Sequence, residues 1–273
     1  MTCNCNKRNP MVATKSKPKP KPKPKSNPKP NIKIVNGVTV DYKKYPFFAR
    51  LWITFSDGST GLCGGALIKK GTESIVITAA HCFDDPPAKT QVGFYQPTRC
   101  KKKYIYDVTN IQIHPDYDPT AFPPINDIAL LTIAGTPPPE VPVLPIPDKI
   151  LGKKFIIPGT KTKTIGYGTT ETGEPACLLQ CGCTPIVSRT NPENLWGPEV
   201  KSQESIIFAG KVFSEPIVDA GTGDSGGPLL YVYNGVTYLV GLVSFGEFQK
   251  LGYPSGYTNV NYLREWITVN AGV

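Results

Sequence analysis

Apolar residues in this chain come in short runs, and each run ends at a turn built from Gly or Pro. The sequence carries 26 Gly and 29 Pro in 273 residues. Val, Ile, Thr and Tyr are frequent in the chain, and Phe47 to Ile53, Ser74 to Ile77, Ile128 to Ile133 and Tyr238 to Val243 are typical apolar runs. Runs of this length, bounded by such turns, read as β-strands rather than helices. The pattern predicts an all-β body large enough to bury a substantial core. The Pro-rich stretch from Thr136 to Asp148 reads as a connection between two strand-rich halves. The one helix expected is terminal, near Asn261 to Ile267. No repeat at solenoid periods is visible.

Charge is distributed unevenly. The net charge is +9, but ten of the 30 Lys and Arg, and none of the 21 Asp and Glu, fall within residues 1–33. That segment carries +10, and the body sums to −1. Lys-Pro repeats dominate it from Lys17 to Pro30. Proline fixes φ and removes a backbone donor, and like charges repel. The segment is therefore expected to be polyproline-II-like or disordered. It reads as a solvated linker, as a spacer with a cleavage site, or as a polycation that docks on an anionic polymer or surface. No basic patch is required of the body.

Three separated motifs carry chemistry. Gly223-Asp224-Ser225-Gly226-Gly227-Pro228 flanks a serine with glycines that keep its approach clear. The N–H groups of Gly223 and Ser225 could point at one carbonyl oxygen, as an oxyanion hole requires. Taken alone, the run is also compatible with an ordinary turn. Thr78-Ala79-Ala80-His81-Cys82 and Asn126-Asp127-Ile128 add a base and an acid. A hydroxyl nucleophile needs both: a base to take its proton and an acid to orient the base. His114 is the only other histidine. It lies where a strand runs into a turn, and is expected to be a partly exposed loop residue.

On these residues the chain resembles the trypsin-like serine proteases, from about Ile34 to Val273. The order His, Asp, Ser matches that family and differs from subtilisins and α/β-hydrolases; the family also supplies the standard description of the triad. The resemblance implies two packed six-stranded antiparallel barrels with a C-terminal helix and a basic N-terminal tail. It divides the chain into a pro-segment over 1–33, a first barrel over 34–145 with His81 and Asp127, and a second over 146–273 with Ser225. It implies a serine endopeptidase working through an acyl-enzyme, with no cofactor, acting as a monomer on protein or peptide substrates. Ile34-Val35-Asn36-Gly37 matches the family's activation site. Cleavage after Lys33 would free the Ile34 amine to pair with Asp224. The Lys-Pro bonds upstream should resist such cleavage, because the imide distorts the substrate's extended register. The alternative is a catalytically inactive homologue that binds through its basic tail.

The resemblance also places Asp219 at the base of the primary specificity pocket and Ser244, Phe245 and Gly246 along its wall. An aspartate there implies preference for Lys or Arg before the cleaved bond. Several positions depart from the family pattern. Gly221 stands where a bridging cysteine is usual, and Phe208 replaces another. Phe245 and Tyr167 replace tryptophans, and Ser255 replaces a pocket-lining glycine.

Eight cysteines occur. Cys63 and Cys82 match a family disulfide. Cys3, Cys5, Cys100, Cys177, Cys181 and Cys183 allow 15 pairings if all are bridged. The Cys177–Cys183 cluster lacks histidine and suits no common zinc spacing. The loop from Gln91 to Ile105 has no acid to hold calcium. No metal site is expected. Cysteine use points to an extracellular or other oxidising compartment. Residues 1–10 contain no apolar signal core and no stretch is long enough to span a membrane. Export by another route or packaging into a particle are the alternatives.

Overall fold

The computed structural model describes residues 37–98, 101, 103–169, 174–190, 196–210, 220–246 and 253–273. Fourteen strands are formed among them. They are β1 (Val38–Thr39), β2 (Phe48–Phe55), β3 (Thr60–Lys69), β4 (Ser74–Thr78), β5 (Pro87–Phe94), β6 (Ile105–Ile113), β7 (Ala129–Ile133), β8 (Lys163–Gly166), β9 (Gln180–Cys183), β10 (Ile186–Val187), β11 (Ile206–Ala209), β12 (Pro228–Tyr233), β13 (Val236–Phe245) and β14 (Ser255–Asn259). Three helices accompany them: α1 (Lys149–Phe155), α2 (Pro198–Ser202) and α3 (Arg264–Ala271).

The first half closes into a six-stranded antiparallel barrel in the order β2-β3-β4-β7-β6-β5. Side chains two residues apart on a strand share a face, and the sequence obeys that period. Ala49, Leu51 and Ile53 of β2 point into the barrel with Val92 and Phe94 of β5. Phe48, one residue out of phase, joins instead the cluster between the halves, with Ile77 and Ile128 of the first and Tyr167 of the second. One strand therefore serves two cores, and this explains why its run reads as nearly continuous in apolar residues.

The second half is an eight-stranded antiparallel sheet in the order β1-β9-β8-β12-β13-β14-β11-β10. It curls over its own core of Ile207, Leu229, Val240, Val243 and Tyr257. Here the structure refines the expectation of two six-stranded barrels: the first barrel is closed, whereas the second unit is an open sheet carrying two extra two-residue edge strands. One of these, β1, precedes the barrel strands in the chain and pairs with β9, Val38 opposite Cys181.

The terminal helix was anticipated, but α1 and α2 were not. They are seven and five residues long, too short for a helical period to stand out. Local chemistry starts α1: the Asp148 carboxylate accepts the N–H groups of Ile150 and Leu151 at 2.9 and 2.8 Å, satisfying two of the otherwise orphaned first-turn donors. Helix α3 buries Ile267 and Ala271, four residues apart on one face, and stops at Gly272 in the left-handed conformation.

The two halves meet along β3 and the segment before β12. A Cβ on Gly64 would lie 2.9 Å from the Gly227 α-carbon, so backbone passes backbone with no room for a side chain. Gly64→Ala should cost about 1–3 kcal/mol, the usual penalty for overpacking. The check is a lower urea midpoint at unchanged slope.

Candidate active site

Each site residue lies within three residues of the end of an ordered strand: His81 after β4, Asp127 before β7 and Ser225 before β12. β4 ends at Thr78, whose hydroxyl donates to the Gly64 carbonyl at 2.7 Å. The chain then turns through a short 3-10 helix, Ala80–Phe83, that carries His81. A disulfide between Cys63 and Cys82, with α-carbons 6.5 Å apart, fastens this turn to β3, as the resemblance implied. Asp127 precedes β7 and follows Asn126, which adopts a left-handed φ of 53°.

Asp127 is fully buried, and its acceptors are filled from three directions. Oδ1 accepts the His81 backbone N–H at 2.9 Å. Oδ2 lies 2.7 Å from His81 Nδ1 and accepts the Ser244 hydroxyl at 2.6 Å. The Asp127 carbonyl accepts from the Thr258 hydroxyl at 2.7 Å. An ionised carboxylate only accepts, so Nδ1 carries the imidazole proton and Nε2 is left with a lone pair. Burial alone would push the His81 pKa down. The Asp127 charge and hydrogen bond, with Asp84 beyond, hold it above its ordinary value instead. The imidazole remains about a quarter exposed.

Ser225 sits in a chain of tight turns. The Asp224 N–H bonds the Gly221 carbonyl and the Gly227 N–H bonds the Asp224 carbonyl, while Gly223 and Gly226 take φ values of 90° and 72°. Both halves of the molecule grip the turn. The Gly64 N–H donates to the Ser225 carbonyl at 2.7 Å, and the Gly226 N–H donates to Val243 at 2.8 Å. A Cβ on Gly226 would lie 2.1 Å from Thr78 Oγ1 and 2.8 Å from the Ala79 nitrogen. The residue after Ser225 thus abuts the stretch leading into His81. Among the described residues, Asp224, Gly226 and Gly227 each donate their N–H to a carbonyl, whereas Gly223 and Ser225 donate to none.

Asp224 is completely buried. Its carboxylate accepts from Gly168 N–H at 2.7 Å and Gly221 N–H at 2.9 Å. Burial nonetheless raises its pKa to about 6, because those two bonds and the nearby Arg50 charge offset desolvation only in part. Arg50 is itself 3% exposed and stacked 4.9 Å from the Tyr167 ring centre.

The departures from the family pattern acquire physical reasons. A Cβ at Gly221 would meet the Thr169 carbonyl at 2.2 Å, so no cysteine fits there. Phe208 is buried among Trp196, Val200 and Phe245, and apolar packing replaces a crosslink. Ser255 is buried and pairs in β14 with Ala209 of β11. The Ser244 hydroxyl holds Asp127. The fragment Ser244-Phe245-Gly246 gives no hint of that bond, which spans 117 positions. His114 is not a partly exposed loop residue: it is 8% exposed, lies 5.0 Å from the Trp266 ring, and burial lowers its pKa. Lys33, Ile34 and Asp219 lie outside the described residues, as do Cys3, Cys5, Cys100 and the whole 1–33 segment. Among the described residues no His, Cys, Asp and Glu cluster could hold a metal. No described helix is long and apolar enough to cross a membrane.

Comparison with known proteins agrees with this geometry. The family model Trypsin matches residues 34–267. Trypsin-1 of Astacus astacus is 31% identical over 250 residues, covering 87% of this chain and 100% of that protein. The urokinase-type plasminogen activator of Gallus gallus is 29% identical over 256 residues; the match covers 87% of this chain but only 57% of that longer protein. The CLIP domain-containing serine protease B14 of Anopheles gambiae is 26% identical, covering 86% of this chain and 71% of its own length. Among solved structures, HL collagenase superposes with a TM-score of 0.73 at 24% identity, covering 88% of this chain and 99% of that one. Placed beside a closed barrel, a curled sheet and a buried aspartate bound to a histidine at their seam, these matches show that the chain belongs to the trypsin family of serine proteases.

Proposed function

We propose that this protein is an active serine endopeptidase, cutting after Lys or Arg and matured by cleavage at Lys33–Ile34. The observation that carries the reading is the 2.7 Å contact between His81 Nδ1 and Asp127 Oδ2, which assigns the imidazole proton to Nδ1. With Nδ1–H committed to Asp127, Nε2 is the only imidazole nitrogen free to act as base. Ser225 loses its proton to Nε2 as its oxygen attacks the scissile carbonyl. The tetrahedral oxyanion is received by the N–H groups of Gly223 and Ser225. His81 then protonates the leaving amine, and water attacks the acyl-enzyme in the same way. Asp127 offsets the imidazolium charge in both steps. Each oxyanion donor should contribute about 3–4 kcal/mol to transition-state stabilisation.

Ser225→Ala should lower kcat by roughly six orders of magnitude with folding retained. In the parent enzyme, kcat/KM should rise with pH through an apparent pKa above 6.5, because the base must be neutral and Asp127 holds its pKa up. A fluorophosphonate separates this reading from an inactive binding homologue: the active enzyme forms a covalent Ser225 adduct and the inactive one does not.

Specificity is assigned to Asp219, whose carboxylate would receive a basic side chain in the pocket bounded by Ser244, Phe245 and Gly246. Profiling a peptide library with enzyme beginning at Ile34 should show Lys or Arg before the cut bond. Asp219→Ser should abolish that preference and leave reactivity toward small acylating agents intact. A library profile without basic preference in the parent enzyme would remove Asp219 from this role.

Activation is assigned to Asp224. Its carboxylate is buried with too little positive charge beside it, and the Ile34 α-amine would supply the missing partner. The pKa is raised from 3.8 to about 6 in the folded chain. That contribution to stability is complete below pH 3.8 and is lost as pH rises through 6, a loss of about 3 kcal/mol. Uncleaved Ser225→Ala protein should show this loss in urea titrations between pH 4 and pH 7. The form beginning at Ile34 should be spared it, because the amine pairs with the ionised carboxylate.

A further inference from the structure

The cysteine arithmetic leaves a question that the active site does not answer. Cys63 and Cys82 are joined to each other, and Cys177 is a free, exposed thiol. Cys181 and Cys183 are both disulfide-bonded. They cannot be bonded to each other. They stand two apart on the extended strand β9, where same-face neighbours are about 6.6 Å apart, and a disulfide brings Cβ atoms to about 3.5–4.5 Å. Their partners must come from Cys3, Cys5 and Cys100, the remaining cysteines of the chain. Whichever two are chosen, at least one bond reaches the basic segment ahead of Ile34.

Spacing chooses among them. Cys3-Asn4-Cys5 has the same single-residue gap as Cys181-Gly182-Cys183. In extended backbone, alternate side chains share a face, so Cys181 and Cys183 of β9 share one, and an extended Cys3-Asn4-Cys5 would match them at the same interval. Laid side by side, the two triplets bring both pairs of sulfurs together at once. Cys100 offers one sulfur and could satisfy only one partner. The described residues also begin close to this place, since Val38 of β1 lies directly opposite Cys181. The roughly thirty residues between Cys5 and β1 can span about 100 Å, more than enough to return to β9.

We propose that Cys3 and Cys5 are joined to Cys181 and Cys183, and that the basic segment therefore stays covalently attached when the chain is cleaved at Lys33–Ile34. The bonds stand independently of the enzymatic reading; only the consequence for the mature enzyme rests on it. Each bond forms by exchange with an external disulfide of an oxidising compartment. One thiolate of the chain attacks that disulfide and releases a thiol. The second thiolate then resolves the mixed disulfide and releases the other. Two chain thiols lose two electrons and two protons, and the external disulfide becomes two thiols. The product is a two-chain protease whose −1 body keeps an arm with ten Lys and Arg, released only by reduction.

The test uses full-length Ser225→Ala protein made in an oxidising compartment, so that no self-cleavage intervenes. Alkylation in guanidinium without reductant should label Cys100 and Cys177 alone. Mass spectrometry of an unreduced peptic digest should find the Cys3–Cys5 peptide crosslinked to the Cys181–Cys183 peptide. Labelled Cys3 or Cys5, or Cys100 linked to Cys181 or Cys183, overturns the proposal. In the parent enzyme cleaved after Lys33, the arm should remain bound on a non-reducing gel and leave on reduction. A Cys3→Ser/Cys5→Ser double variant should release it without reductant. An enzyme that is never cleaved would count against the activation site and leave the mapped bonds untouched.

Discussion

The buried carboxylate of Asp127 organises the molecule. A charge taken out of water costs several kcal/mol unless hydrogen bonds and an opposite charge replace its hydration. Here the replacements come from both halves of the fold. His81 supplies two donors from the turn after β4, and Ser244 supplies a third from the end of β13. Thr258 of β14 holds the backbone carbonyl. The barrel and the curled sheet must close on each other for Asp127 to be satisfied. The contacts that stabilise the seam are therefore the same ones that fix the imidazole tautomer.

Asp224 is the counterpart, buried as deeply but incompletely compensated. Two backbone N–H groups and the field of Arg50 leave its pKa near 6. It lies immediately before Ser225, so any change in its partner is transmitted through one peptide unit to that serine. The contrast between the two aspartates separates a group that holds a finished geometry from one suited to respond to a new charge. A freed amine would supply such a charge and would reach the serine turn through the chain itself.

The chain's net positive charge resides in residues 1–33. If the chain is cleaved at Lys33–Ile34 as proposed, loss or retention of that segment decides whether the product is nearly neutral or strongly basic, and with it the long-range attraction to anionic surfaces. The two sulfurs on β9 bear directly on this, because a covalent bond outlasts cleavage of the backbone.

Much of this was legible in the residues. Short apolar runs between Gly and Pro turns encode strands, because period and turn chemistry are local. Gly223 and Gly226 encode the turn at Ser225, because φ values of 90° and 72° suit glycine and strain other residues. The order of His81, Asp127 and Ser225 pointed to the family. Other features depended on partners far away in the chain. The Ser244 bond to Asp127 crosses 117 positions, and no local pattern announces it. The short α1 and α2 leave too little periodic signal, and His114 is buried by Trp266 from the terminal helix. The second sheet gains its β1 edge strand by pairing with β9, 141 residues further on for Thr39 and Gln180. Local backbone chemistry determined the strands and the serine turn; which buried groups met across the seam was decided only when the two halves packed and excluded water.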